Sequence, residues 1–117
     1  MSGIIRSGGN QLMSDYVIHN QVVYVSGIVA ADKGGDIKAQ IQDILQEIDS
    51  RLERAGTDKS KLLTALIWLK DIDSDFAALN ELWAEWVAPQ GQPARATCQA
   101  LMASPDVLVE ITVTAAV

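Results

Sequence analysis

The stretch 61-KLLTALIWLK-70 decides how the rest of the chain has to fold. Its length and the turn-forming residues on either side predict a β-strand. Apolar side chains occupy both alternating faces of this strand, with Leu62, Leu66 and Trp68 on one side and Leu63, Ala65, Ile67 and Leu69 on the other. A strand that is apolar on both faces has to be covered from two sides.

Two short strands and a long helix are predicted ahead of this strand. Residues 16–27 are rich in β-forming side chains on either side of a reversal at His19-Asn20-Gln21. Asp36 then offers an N-cap and Gly56 a stop for an amphipathic helix. The apolar stripe of this helix consists of Ile37, Ile41, Ile44, Leu45, Ile48, Leu52 and Ala55.

A second helix and two further strands are predicted after it. The helix begins at about Ser74 or Asp75, runs to Val87, and is ended by Pro89. Its predicted buried stripe consists of Phe76, Leu79, Trp83 and Trp86. The two strands that close the chain are expected at about 95–102 and 107–115.

This order of elements, ββ-α-β-α-ββ, predicts a single α+β domain over residues 1–117, with room for a short extra strand near Ile4-Ile5. The strand-helix-strand unit in its middle favours a parallel crossover, so we expect one mixed sheet with two helices packed on one face. The chain has no residues left to cover the other face. We therefore expect a homo-oligomer with closed symmetry.

The composition narrows the possible partners. The formal net charge is −6 and no Lys/Arg cluster is present, which argues against nucleic acid and anionic membranes as partners. The N-terminal residues lack a long apolar run, so we expect neither a signal peptide nor a membrane span. The only cysteine, Cys98, cannot form an internal disulfide, which favours a cytoplasmic location. One histidine and one cysteine make no zinc site.

Two charged residues stand out in the apolar C-terminal segment. Arg95 is the only Lys or Arg from residue 71 to the end, and Glu110 interrupts a run of β-branched residues. By strand alternation, Arg95, Thr97 and Gln99 share one side, and Glu110 lies opposite the Val/Ile side of its own strand. We expect these polar sides to line a cleft at a subunit boundary. If a hairpin turned at Ser104-Pro105, the two charges would lie about 13 Å apart.

The pattern leaves the roles of both residues open. An arginine without a carboxylate partner can bind the carboxylate of a ligand, and a half-buried glutamate can position a water molecule. Alternatively, Arg95 forms a salt bridge at a subunit interface and Glu110 is a structural hydrogen-bond partner.

Four short motifs resemble the RidA/YjgF family. Pro93-Ala94-Arg95 and Val109-Glu110-Ile111 are similar to its C-terminal signature, and Val25-Ser26-Gly27 is similar to its strand-end turn. Asp75-Phe76-Ala77 together with Asn80 resembles its second-helix motif. The resemblance covers about residues 16–117 and is closest to a YoaB-like branch.

The resemblance implies a chorismate-mutase-like trimer with clefts between subunits. It also implies hydrolysis of reactive enamine and imine acids, such as 2-aminoacrylate and 2-iminobutanoate, to 2-keto acids and ammonia. Arg95 would bind the substrate carboxylate and Glu110 would orient the attacking water. The residues that the resemblance places in substrate binding are Tyr16, Ser26, Gly27, Asn80 and Thr97, and no metal or organic cofactor is implied.

The sequence departs from the family pattern at two places. Thr97 stands where the family often has a cysteine, and Ile28-Val29 replaces a Gln-Ile-Pro type of sequence after Gly27. These differences bear mainly on substrate preference. The alternative to an enzyme is a non-catalytic trimer that binds a small carboxylate or acts as a chaperone-like regulatory module. A purely structural interaction protein is a third hypothesis.

Overall fold

The structure, a computed structural model, describes residues 3–117 and consists of one six-stranded sheet with two helices on one face. The strands are β1 (Ile5–Ser7), β2 (Tyr16–His19), β3 (Val22–Ile28), β4 (Leu62–Leu69), β5 (Ala94–Gln99) and β6 (Val109–Ala116). The helices are α1 (Ile37–Arg54) and α2 (Ile72–Trp86), and one 3-10 turn (Lys59–Lys61) precedes β4. The predicted α+β architecture is confirmed, including the short first strand.

The strand order is β1-β2-β3-β6-β4-β5. The β4-α2-β5 unit is the predicted parallel crossover, and all other pairs are antiparallel. The hairpin considered for the last two strands does not form. Instead, β6 lies between β3 and β4 and does not pair with β5. β5 is left at the edge of the sheet, where it pairs with β4 alone.

Helix α1 forms as its sequence predicts. The Asp36 side chain accepts a hydrogen bond from the Ala39 amide at the N-terminus, and Gly56 adopts the left-handed conformation (φ +86°) just past the C-terminus. The predicted stripe is buried, apart from Ile37, which is partly covered. Gln40 is also buried, at 1% exposure, although the apolar periodicity does not predict it.

Helix α2 begins earlier than predicted. Its N-cap is Asp71, whose carboxylate accepts hydrogen bonds from the amide and hydroxyl of Ser74, so the start predicted at Ser74 or Asp75 is wrong. The buried residues of this helix are Leu79, Leu82 and Trp83. Phe76 is predicted in the buried stripe, but it is 41% exposed and lies beside Arg95 of β5.

The two faces of β4 differ in how well this chain covers them. Ala65, Ile67 and Leu69 are buried under the helices, whereas Leu66 and Trp68 on the opposite face are only half-buried. A register shift between Leu62 and Thr64 turns Leu62 toward the helices, so its predicted face is wrong. We call the side of the sheet that carries the helices the helix face, and the other side the open face. None of the helices in residues 3–117 is long and apolar enough to cross a bilayer.

Candidate active site

Arg95 lies on the helix face of edge strand β5. It pairs in register with Ala65, whose side chain is buried beneath the helices. The Arg95 Nη2 donates a hydrogen bond of 2.7 Å to Asn80 Oδ1 on α2. The guanidinium carbon lies 5.9 Å from the ring centre of Phe76 and 5.7 Å from that of Trp83. The strand thus presents the guanidinium to one face of α2.

The positive charge of Arg95 is not compensated by a carboxylate. Within residues 3–117, no Asp or Glu oxygen lies within 4.0 Å of its nitrogens. Burial lowers the pKa of the guanidinium, yet arginine is so strong a base that the group stays protonated at neutral pH. Since a guanidinium has several N–H donors, donors remain available for an anion beyond the one used by Asn80.

Thr97 follows Arg95 on the same face of β5, in register with Ile67. Its Oγ1 is buried and has no hydrogen-bond partner among residues 3–117. Gln99, next on this side, accepts a hydrogen bond of 3.0 Å from the Ile72 amide at the start of α2. The prediction that Arg95, Thr97 and Gln99 share a side is therefore confirmed.

Glu110 lies on the open face of β6, in register with the half-buried Trp68. The adjacent strand β3 has a register shift between Val25 and Ile28, which brings Gly27 against the Glu110 carboxylate. A Cβ atom at Gly27 would overlap Glu110 Oε2. Ser26 stabilises the same irregularity, since its hydroxyl donates a 2.6 Å hydrogen bond to the Ser14 carbonyl.

The two charged residues are not brought together in one protomer. We call Arg95, Asn80 and Thr97 the arginine cluster, and Glu110, Gly27 and Ser26 the glutamate cluster. The predicted alternation within each strand holds, and the two clusters lie on opposite faces of the sheet. The reason is the parallel register of β5 on β4, which aligns Arg95 with the helix face.

Tyr16, which the family resemblance places in substrate binding, is almost fully covered within the protomer. It pairs with Val25 on the helix face, and its side chain is only 6% exposed. The Arg54 guanidinium carbon lies 5.4 Å from the centre of its ring. Tyr16 therefore belongs to the core at the level of α1.

Several other features lie apart from both clusters. Cys98 is exposed on the open face, as its alternation with Thr97 predicts. A groove of about 500 Å³ between α1 and α2 contains none of the predicted site residues. A second cavity of about 390 Å³ touches only Gly27 among them. Within residues 3–117, no group of three or more His, Cys, Asp or Glu side chains is placed to hold a metal ion.

Sequence reasoning missed the aromatic partners of Arg95, because Phe76 and Trp83 were assigned to core packing. A signal was present in the chain. Phe76, Asn80 and Trp83 are spaced i, i+4 and i+7, which places all three on one face of a helix. Only the parallel pairing of β5 with β4 shows that this helical face meets Arg95.

The model of the Endoribonuclease L-PSP family matches residues 10–117. The chain belongs to this family. RutC family protein YoaB of Escherichia coli (strain K12) is 40% identical over 114 residues, which are 97% of this chain and 98% of that protein. The expected RidA/YjgF resemblance and its YoaB-like character are thereby confirmed.

Two further family members extend the comparison to a structure and to a named activity. The crystal structure of NMB1025 from Neisseria meningitidis, described as a member of the YjgF family, superimposes with a TM-score of 0.93 at 37% identity, over 97% of this chain and 94% of that one. A protein named 3-aminoacrylate deaminase RutC, from Acinetobacter baylyi, is 35% identical over 98 residues, or 79% of this chain and 76% of that protein.

Proposed function

We propose that the protein is a hydrolytic deaminase that converts 2-imino and enamine acids, such as 2-aminoacrylate and 2-iminobutanoate, to 2-keto acids and ammonia. The observation that carries the proposal is the uncompensated guanidinium of Arg95, which is held in a protein of net charge −6 without a carboxylate partner among the described residues. A family member whose name is 3-aminoacrylate deaminase adds support, because that compound is also an enamine acid.

In this mechanism Arg95 binds the substrate carboxylate. A guanidinium holds a carboxylate through parallel N–H···O bonds, which fixes the orientation as well as the position of the substrate. Thr97 lies on the same face of β5, and its buried hydroxyl, which lacks a partner in the described chain, is assigned to the same ligand in this proposal. Asn80 keeps the guanidinium in place through its 2.7 Å hydrogen bond.

Glu110 positions the water that attacks the imine carbon. An enamine first becomes an iminium ion when its β-carbon takes up a proton from solvent. The water oxygen then bonds to the iminium carbon while the C=N π electrons move to nitrogen. The C–N bond breaks as the C=O bond forms, the remaining hydroxyl proton is released to solvent, and nitrogen leaves as ammonia. A carboxylate next to the reacting carbon can accept a proton from the water and return it to nitrogen. The iminium carbon is already electrophilic, so most of the catalysis is positioning.

The complete site requires two copies of the chain. Because the arginine and glutamate clusters lie on opposite faces of one sheet, one protomer supplies Arg95, Asn80 and Thr97 to each cleft. A neighbouring protomer supplies Glu110, Gly27 and Ser26. A homotrimer would contain three such clefts, and the association would cover the half-exposed Leu66 and Trp68 on the open face.

A ribonuclease, which the family's name suggests, is disfavoured by charge. Phosphate backbones are bound by clusters of Lys and Arg. This chain has 9 Lys and Arg against 15 Asp and Glu. In residues 3–117, the partly buried Arg51 pairs with Asp15 and Glu47 and is not free for a phosphate.

A non-catalytic carboxylate-binding or chaperone-like regulatory trimer is the second candidate. The same free guanidinium favours it, since ligand binding needs Arg95 but no water activation. The two functions differ at Glu110, whose replacement abolishes turnover in the enzyme and leaves ligand binding largely intact in the binding module.

The deciding experiment measures keto-acid release from 2-aminoacrylate generated in situ. Wild type, Arg95→Ala and Glu110→Gln are compared with a protein-free reaction, and Glu85→Gln, on the exposed side of α2, serves as a matched control. Acceleration by wild type and the control, with a loss of about a hundredfold or more in both site variants, supports the deaminase. If wild type does not accelerate keto-acid release but still binds a keto acid, the result supports the binding module instead.

A further inference from the structure

Three side chains on one face of α2 surround the guanidinium of Arg95. Phe76 and Trp83 present their rings to it at 5.9 and 5.7 Å from the guanidinium carbon, within the distance at which cation–π attraction is effective. Asn80, which lies between them on the helix, accepts the 2.7 Å hydrogen bond from Nη2. We call Phe76, Asn80 and Trp83 the arginine clamp.

The clamp differs from the way the two arginines of α1 are held. Arg51 is partly buried, as Arg95 is, and its Nε lies 2.8 Å from Glu47 Oε2. Arg54 lies 3.0 Å from Asp15 Oδ2. Both are neutralised by carboxylates, as expected of structural arginines. Arg95 is held by two ring faces and an amide, none of which carries a formal charge.

This choice of partners has a chemical consequence. A carboxylate next to Arg95 would occupy the N–H donors and cancel the charge that an incoming carboxylate needs. An amide oxygen uses a single donor, and an aromatic face restricts the guanidinium plane without using any. The clamp therefore orients the guanidinium and leaves its charge available.

We infer that Phe76, Asn80 and Trp83 are positioning residues, which hold Arg95 oriented and uncompensated so that it can bind the carboxylate of a ligand. The inference deepens the proposed function and rests on its assignment of Arg95 as the carboxylate anchor. It assigns to the clamp an effect on ligand affinity that is separate from any contribution of these side chains to stability.

The sharpest test is Asn80→Asp, which preserves the shape of the side chain and the hydrogen-bond acceptor but adds a carboxylate. The probe is pyruvate, the 2-keto acid formed from 2-aminoacrylate, with its dissociation constant measured by isothermal titration calorimetry. We expect binding to weaken by about tenfold or more, because the new carboxylate competes with pyruvate for Arg95. In turnover, the KM rises more than kcat falls.

Gln42→Glu is the matched control, since it makes the same amide-to-carboxylate change at an exposed position on α1. We expect wild-type affinity from this variant. A purely structural role for Asn80 predicts the opposite pattern for Asn80→Asp. The new ion pair with Arg95 would leave pyruvate affinity unchanged and raise the melting temperature, and that result would overturn the inference.

The aromatic part of the clamp is tested at Phe76, which is 41% exposed and can be replaced without opening the core. Phe76→Leu removes the ring face, and we expect pyruvate binding to weaken about threefold. Phe76→Tyr retains the face and restores wild-type affinity. Equal affinity in wild type, Phe76→Leu and Asn80→Asp would contradict the clamp.

The proposed function and the inference fail in different ways. If wild type binds pyruvate and the clamp variants bind it more weakly, but no enamine is hydrolysed, the deaminase proposal fails and the clamp stands. If enamine is hydrolysed with the same KM in wild type and the clamp variants, the clamp fails and the deaminase stands. If wild type does not bind pyruvate at all, the clamp is overturned.

Discussion

Arg95 and Glu110 lie on opposite faces of the same sheet. Arg95 is aligned through β4 with the buried Ala65, whereas Glu110 is aligned with Trp68 on the open face. Side chains that point to opposite sides of a sheet cannot contact a single small ligand within one protomer. A reaction that needs both residues therefore needs two copies of the chain, and this requirement can be tested directly.

Mixed assemblies of Arg95→Ala and Glu110→Gln should recover activity that neither variant has alone. When equal amounts of the two variants assemble at random into trimers, a cleft is intact if one protomer retains Arg95 and its neighbour retains Glu110. Each condition is met half of the time, so we expect about a quarter of wild-type activity per site. The measurement is keto-acid release after co-refolding. Persistent inactivity of mixed assemblies that are trimeric by size would show that one protomer supplies both residues.

Gly27→Ala should displace the Glu110 carboxylate. The added Cβ would overlap Glu110 Oε2, and the glutamate can yield only by moving out of its present position. We expect kcat to fall by about a hundredfold, since misplacing a catalytic group by about 1 Å has effects of that size. Gly34→Ala is the control, because its nearest neighbour is an Asp32 oxygen at 3.3 Å in an exposed loop. Unchanged kcat in Gly27→Ala would separate Glu110 from the chemistry.

The sequence predicts how side chains alternate along a strand better than it predicts which strands pair and in which register. Val109, Ile111 and Val113 are buried on one side of β6 and Glu110 faces the other, as the alternation indicates. Alternation is a local property of extended backbone, so it can be read from a few consecutive residues. The face that Arg95 occupies depends on pairing with β4, which is about thirty residues away in the chain, and no local pattern encodes that register.

Tyr16 and Phe76 show the same limit. Tyr16 carries a polar hydroxyl group, yet its pairing with Val25 directs its side chain toward the core of the protomer. Phe76 fits an apolar stripe by spacing, but it is 41% exposed and lies beside Arg95. Helical periodicity gives the direction of a side chain, whereas burial depends on what lies opposite.

Gln40→Leu should destabilise the protein although it increases apolar character in the core. The buried amide donates to the Gly35 and Asp106 carbonyls and accepts from the Leu108 amide, so it joins the start of α1 to the loop before β6. Leucine leaves these backbone groups unsatisfied, and we expect a loss of about 2–3 kcal/mol in the free energy of unfolding. Urea denaturation measures it. Gln42→Leu, the same change at an exposed position, is expected to shift the value by less than about 0.5 kcal/mol.

Asp75→Asn should stabilise the protein at neutral pH. Burial, together with the charge of Asp71, raises the pKa of the Asp75 carboxyl in the folded state. With a raised pKa, the folded state binds the Asp75 proton more tightly than the unfolded state does, so binding of this proton stabilises the fold. That stabilisation is complete below about pH 4 and is lost as the pH rises through the pKa of the folded state. Asparagine removes the charge at every pH. We expect the melting temperature of Asp75→Asn to exceed that of wild type at pH 7 and to equal it at pH 3. An equal increase at both pH values would contradict the raised pKa of Asp75.

Thr97→Val should separate ligand binding from stability. The buried Thr97 hydroxyl has no partner among residues 3–117, so replacing it with a methyl group leaves no broken hydrogen bond behind. We expect an unchanged or slightly higher free energy of unfolding, but pyruvate binding weakened by about three- to tenfold, because the proposed site uses the Thr97 side chain beside Arg95 on the same face of β5. Thr57→Val is the matched control. The Thr57 hydroxyl donates a 2.6 Å hydrogen bond to the Ala116 carbonyl, so its loss should cost about 1 kcal/mol of stability and leave pyruvate binding unchanged. Wild-type affinity in Thr97→Val would mean that the hydroxyl plays no part in the carboxylate site, and that Arg95 alone provides it.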